Sequence, residues 1–140
     1  MSGWHSKTHF LFNEKEIASS GTELGHWVNV SGAEGFNFWA FLEEDTASPS
    51  LTISVDVSLF DPGMVDGTGA TTHDRASTDR DNFRTIEVKS AETSQDAWQH
   101  YDTPDEMQYP ICWIRGRVVE GGVGECDTFS LAMTVNVSRP

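Results

Sequence analysis

Residues 50–63 read SLTISVDVSLFDPG, and the fold turns on how that stretch is understood. Leu51, Ile53, Val55, Val57 and Leu59 alternate with Thr52, Ser54, Asp56 and Ser58 before the run breaks at Asp61-Pro62-Gly63. Side chains alternate across a strand with period two, so a strand over 51–60 is expected, apolar on one face and wet on the other. Residues 128–137 repeat the pattern. Phe129, Leu131, Met133, Val135 and Val137 share one face, and Ser130, Ala132, Thr134, Asn136 and Ser138 share the opposite one. No long segment carries apolar residues at helical spacing, so the chain reads as mostly β.

Working outward, further strands are expected at 7–13, 26–31, 35–43, 82–89 and 110–119, each bounded by clusters of Gly, Asn, Asp, Ser or Pro. In 35–43, Phe36, Phe38, Ala40 and Leu42 share a face while Trp39 and Phe41 take the other. That strand is therefore either covered on both sides or turned toward a partner chain. In 110–119, Cys112, Ile114 and Val118 oppose Trp113, Arg115 and Arg117. The spacing predicts an all-β fold, an antiparallel β-sandwich or jelly roll. It carries an extended N-terminal arm over 1–13, one sandwich domain over 14–140 and a long loop near 61–81. A short helical turn near Ser94 to Gln99, capped by Ser94, is a further expectation.

The chain has 140 residues, enough to hold one hydrophobic core without staples. Its 22 acidic residues against 9 Lys and Arg leave a formal net charge of -13. A surface so acidic repels polyanions, which argues against nucleic acid and against an anionic membrane as partners. No stretch approaches the roughly 18 apolar residues of a membrane span. The N-terminus lacks the order of a secretory signal, so a soluble protein made in the cytoplasm is expected. The triplets Asn29-Val30-Ser31 and Asn136-Val137-Ser138 match the glycosylation pattern, and without an export signal they read as chance.

Catalytic signatures are missing. There is no G-x-S-x-G elbow, phosphate-binding glycine loop, H-E-x-x-H or dinucleotide fingerprint, so no catalytic residue and no cofactor is assigned. Glu43-Glu44 and Asp105-Glu106 are sequence neighbours, which a strand points to opposite faces, so they make no catalytic carboxylate pair. His5 and His9 would stand about 13 Å apart on a strand, beyond a shared metal. His26 and His100 are expected to cap or edge strands, and His73 sits in the polar loop. Asp61, Asp66, Asp74, Asp79 and Asp81 offer hard oxygen ligands, yet the calcium-loop spacing is absent and Arg75 and Arg80 lie among them. A solvated loop and no metal site is the expectation.

Cys112 and Cys126 belong to no C-x-x-C pair. If Gly121-Gly122 is the tip of a hairpin, Cys112 faces positions near 131–133 and Cys126 faces positions near 117–119, out of register for a disulfide. Both are expected to be reduced, with Cys112 in the core. Five tryptophans, Trp4, Trp27, Trp39, Trp98 and Trp113, exceed what a core of this size needs. The surplus suits either stacking on sugar rings or the apolar centre of a protein interface, where Trp and Arg are enriched.

Several stretches carry a resemblance: IASSGT at 17–22, SLTISVDVSLFDPG at 50–63, PICWIRGRVVEGG at 110–122 and DTFSLAMTVNVS at 127–138. In overall style the chain resembles the small β-sandwich auxiliary proteins of tailed-phage particles, which decorate or cement a capsid. The resemblance implies a non-enzymatic structural protein of the virion's outer surface, bridging neighbouring capsomers. Its implied partners are the major capsid protein and copies of itself, with a trimer as one arrangement. Under that expectation the contact residues are Trp4, Phe10 and Phe12 in the arm, and Trp113, Arg115 and Arg117 on the Arg-bearing strand. The alternative is a carbohydrate-binding β-sandwich, of fibre or lectin type, using exposed Trp residues.

Overall fold

The structure, a computed structural model, describes residues 3–44, 49–59, 83–93, 97–107 and 110–139. The expected loop at 61–81, with its aspartates and His73, lies outside the described residues. Among those described there are nine strands and no helix. They are β1 (Gly3–Ile17), β2 (Thr22–Leu24), β3 (Val28–Asn29), β4 (Ala33–Glu44), β5 (Leu51–Ser58), β6 (Arg84–Glu92), β7 (Gln99–Tyr101), β8 (Trp113–Glu120) and β9 (Cys126–Arg139).

Two antiparallel sheets face each other, as the alternating pattern required. The first has the order β1-β9-β4-β7 and the second β2-β8-β5-β6, with β3 also on β8. β2 and β3 are two pieces of one strand along β8. Between them Gly25 N donates to Gly116 O at 2.9 Å, so the pairing is nearly continuous. Counted that way, eight strands follow the order 1-8-3-6 in one sheet and 2-7-4-5 in the other. Every connection but that from β5 to β6 passes between the sheets. This is jelly-roll topology.

The core lies between the sheets. The first contributes Phe36, Phe38, Ala40, Leu42, Phe129, Leu131 and Met133, and the second Leu51, Ile53, Val55, Ile114 and Val118. The apolar faces assigned to 35–43, 51–60, 110–119 and 128–137 are the ones that meet there. Each fully buried Leu, Ile or Phe contributes roughly 1.5–3 kcal/mol relative to exposure. Tyr101 on β7 ties the layers at one side, its hydroxyl donating to Glu92 Oε2 of β6 at 2.6 Å. Burial, then that hydrogen bond and the nearby carboxylate charge, push the Tyr101 phenol well above its ordinary range.

Four expectations are corrected. Residues 3–13, expected as an extended arm with a strand at 7–13, do not stand apart from the sandwich: they are the first part of β1, zipped onto β9 from Gly3↔Arg139 to Phe12↔Leu131. A row of backbone partners at the open edge of β9 is satisfied by this strand, which explains the pairing. Second, β8 and β9 form no hairpin, because β8 belongs to the second sheet and β9 to the first. Both cysteines are free, and it is Cys126 that is buried while Cys112 is half-buried. Third, β5 is not wet on one face: Ser54, Asp56 and Ser58 are buried as fully as its apolar residues. Central placement between β8 and β6 and the cover over its second face account for that. Fourth, Gln99 belongs to strand β7 and not to a helical turn; residues 94–96 lie outside the described residues.

β1 stays on β9 along its whole length but bends partway. Its register slips between Phe10 and Phe12 and again before Lys15, and Glu14 takes φ 50°. Bulges bend a strand and re-aim its side chains. Here they turn both Leu11 and Phe12 inward. Gly116 of β8 leaves the room: a Cβ there would lie 2.6 Å from the Phe12 ring.

Candidate functional site

The second sheet carries the expected Arg-bearing strand, and its polar face is closed. Asp56 of β5 stands opposite Arg115 of β8 in register, with Arg117 one step along. Asp56 Oδ2 accepts from Arg115 Nε at 2.7 Å and from Arg117 Nη2 at 2.8 Å. Its Oδ1 accepts from Arg117 Nε at 2.9 Å and from Thr85 Oγ1 at 2.6 Å. The carboxylate is 0% exposed, and both guanidiniums are buried with it. Arg115 is held between two rings, its Cζ 4.6 Å from the Trp27 centroid and 5.0 Å from that of Phe83. Cation–π contact of this kind strengthens when water is excluded.

Such a group is built for holding. Every lone pair of Asp56 that a donor can reach is used, so neither a base nor a nucleophile is presented to solvent. Arg115 and Arg117 were expected as surface contacts; they are internal because one carboxylate on the neighbouring strand draws both inward. Trp113, at the start of β8, is half-buried. The signal in the sequence was the lone Asp of 50–60 and the two Arg of 110–119, opposite charges on otherwise buried-looking strands.

A second buried carboxylate went unnoticed in the sequence. Glu120, at the end of β8, accepts from the backbone N–H of Ser20 at 3.0 Å, Ser50 at 3.1 Å, Gly122 at 2.5 Å and Val123 at 3.1 Å. Burial pushes its pKa up, but these four donors outweigh that and hold it down at about 2. The residue clamps three turns at one end of the sandwich.

The open surface is the outer face of the first sheet. Phe10 of β1 is 54% exposed, Trp39 of β4 39% and Trp98, just before β7, 45%. Phe10, Ala132, Trp39 and His100 are register partners in one row across all four strands. The Trp98 ring lies 6.3 Å from that of Phe10 and 5.9 Å from that of Phe41, so it reaches across β9. Trp39 and His100 are 4.6 Å apart between centroids, and His100 Nε2 pairs with Asn37 Oδ1 at 3.3 Å.

Of the contact residues expected near the N-terminus, Phe10 lies on this face and Phe12 does not. Phe12 is 6% exposed and packs 5.5 Å from Phe129 in the core, because the intervening bulge reverses the alternation. Trp4 pairs with Ser138 along β1 and β9. Among the described residues no group of three or more His, Cys, Asp or Glu is placed to hold a metal ion. No described helix is long and apolar enough to cross a membrane.

No family model matches the chain, and no curated protein matches it. Solved structures do. The chain is similar to the VP2 subviral particle of infectious bursal disease virus, at 16% identity and TM-score 0.60, over 96% of this chain and 32% of that one. It is similar to the structure of the Gx strain of that virus, at 14% identity and TM-score 0.55, over 96% and 33%. T=1 particles derived from the virus give 14% identity and TM-score 0.52, over 96% and 31%. The chain thus spans about a third of the length of these proteins. At such identities the likeness is one of fold, and the chain shares the two-sheet antiparallel jelly roll of these virus-particle proteins.

Proposed function

We propose that this chain is a structural, non-enzymatic virion protein that decorates or cements a phage capsid by bridging neighbouring capsomers, on the outer surface of the particle. The observation that supports this is the fold-wide likeness to proteins of virus particles, over 96% of the chain. The partners are the major capsid protein and further copies of this chain. A cement protein stabilises a shell by binding the assembled state, so the shell's resistance to heat rises with occupancy. Of the contact residues proposed from the sequence, Phe10 and Trp113 retain surface in this fold, and Trp4, whose side chain lies outside those described, stays a proposed contact. Arg115, Arg117 and Phe12 act from within, holding the sheets that present them. The test is immunogold labelling and peptide mass spectrometry of purified particles with an antibody to this chain. Regular outer-surface label is the expected result; a chain absent from purified particles overturns the reading.

A second reading rests on Trp39 and Trp98, open on the first sheet. Aromatic rings beside the amide of Asn37 and the imidazole of His100 are the elements of a carbohydrate-binding face. Binding to a glycan array that is lost in Trp39→Ala supports it, and an array without signal rejects it.

A further inference from the structure

The outer face of the first sheet carries few charged residues along its central rows. Beside the row Phe10, Ala132, Trp39 and His100 runs a row of Thr8, Thr134 and Asn37. Beyond it, Ser6 Oγ donates to Asn136 Oδ1 at 2.7 Å, next to Gly35. On the other side stand Ser130, Phe41 and Trp98. These rows hold no lysine or arginine, and carboxylates border them at one end: Glu14, whose backbone N–H donates to Ser130 Oγ at 2.9 Å, and Glu43, opposite Thr128, in a chain with a net charge of -13. Among the described residues the buried charges cancel, Arg115 and Arg117 against Asp56 and Glu120, so the net negative charge lies on the rest of the molecule.

That pattern decides which partner fits. A two-fold interface sets one patch against itself, so the patch must be self-complementary in charge as well as shape. An acidic face fails that condition by repulsion, and an uncharged one meets it. The face is at the small end for an interface: β1, β9 and β4 at about 4.8 Å spacing over about ten residues give roughly 500 Å² per copy before side-chain relief, about the 1,000 Å² total that a specific contact needs. Stable interfaces bury about 800 Å² per partner, with aromatic anchors at the centre and a polar rim. Aromatic residues hold one half here, and hydroxyl and amide groups the other.

The ring geometry suits a partner with relief of its own better than a flat stack of several sugars. Phe10 and Trp98 are inclined by 65°, Phe41 and Trp98 by 47°, and Trp39 and His100 by 50°. Neighbouring rings so tilted present edges and ridges, not the level surface on which successive sugar rings stack. Ridges interdigitate well with the same ridges rotated by half a turn.

We infer that the outer face of the first sheet is where two copies of this chain pack, sheet on sheet about a two-fold axis, with Phe10, Trp39 and Trp98 as anchors. The pairing does not depend on a virion location and is tested apart from it. Sedimentation equilibrium of the full chain at micromolar to sub-millimolar concentration, at low and moderate salt, reads it directly. The expected result is a dimer whose affinity rises with salt, since screening removes repulsion between acidic copies while the contact itself holds no ion pair. Trp39→Asp weakens it about thirtyfold or more, as loss of an aromatic hot spot does. Phe10→Ser weakens it as well, and serves as the reading should Trp39→Asp disturb the fold by circular dichroism. Val123→Asp, on the exposed turn after β8, leaves it unchanged. A monomer at every concentration, a trimer, a dimer indifferent to both sheet variants, or a Trp39-dependent glycan complex of the monomer overturns the inference. Each of those leaves the particle-labelling result to stand or fall separately.

Discussion

Arg117 grips Asp56 with two nitrogens, Nε at 2.9 Å from Oδ1 and Nη2 at 2.8 Å from Oδ2, across neighbouring strands and out of contact with water. The fork of a guanidinium matches a carboxylate in this way, and Arg115 adds a third bond from the register position opposite Asp56. One carboxylate thus organises the outer side of the second sheet.

Removing that carboxylate leaves two buried cations without their counter-charge. Asp56→Asn is expected to cost about 3–5 kcal/mol, the range for breaking a buried ion pair from one side. Urea unfolding followed by tryptophan fluorescence measures it. A loss below about 1 kcal/mol would mean that the guanidiniums reach solvent.

Glu120 makes stability depend on acid. Its pKa is about 2 when folded against 4.5 for the free group, so it binds a proton more readily in the unfolded chain. Its contribution is present above about pH 4.5 and is lost as pH falls toward 2. The melting temperature of the wild type should fall more steeply through that window than that of Glu120→Gln. At neutral pH the variant should be less stable by about 1.5–3 kcal/mol, the worth of hydrogen bonds to a charged acceptor. Parallel melting curves for the two proteins would sink this account.

Phe10 and Phe12 are two residues apart in sequence and stand in different environments. Phe12→Ala should cost about 3–5 kcal/mol by emptying a core site. Phe10→Ala should cost under about 1 kcal/mol in the lone chain, where the ring is more than half exposed. Equal losses, measured by chemical denaturation, would contradict the bulge between them.

The Gly116 and Phe12 contact gives a further check. A methyl group at Gly116 would overlap the Phe12 ring, so Gly116→Ala is expected to destabilise by about 1–3 kcal/mol despite its small size. Combined with Phe12→Leu, which opens space, the loss should shrink; simple additivity of the two would show that the sites do not touch.

Much of the architecture was legible in the sequence because it rests on period-two alternation, a local property. The apolar runs of 51–60 and 128–137, and the faces of 35–43 and 110–119, identified the strands that build the core and the residues that point into it. β7 was missed because three residues are too few for a pattern to show. Phe12 was misassigned because a bulge in β1 breaks the alternation, and a bulge is set by what the strand must bend around. Pairing itself was not legible. Adjacent strands in the chain went to opposite sheets, so a Gly-Gly turn that suited a hairpin became a crossing between layers.

The same division holds for the charged and aromatic residues. By itself the sequence determined an acidic, all-β chain, its core faces, and the presence of more tryptophan than the core consumes, since each follows from composition or short-range periodicity. Only the tertiary structure decided which of those residues meet water. Asp56, Arg115 and Arg117 were drawn inside because strands distant in sequence became neighbours in register and opposite charges are costly to bury apart. Phe10, Trp39 and Trp98 were gathered on one face because four strands from the two ends and the middle of the chain lie side by side there.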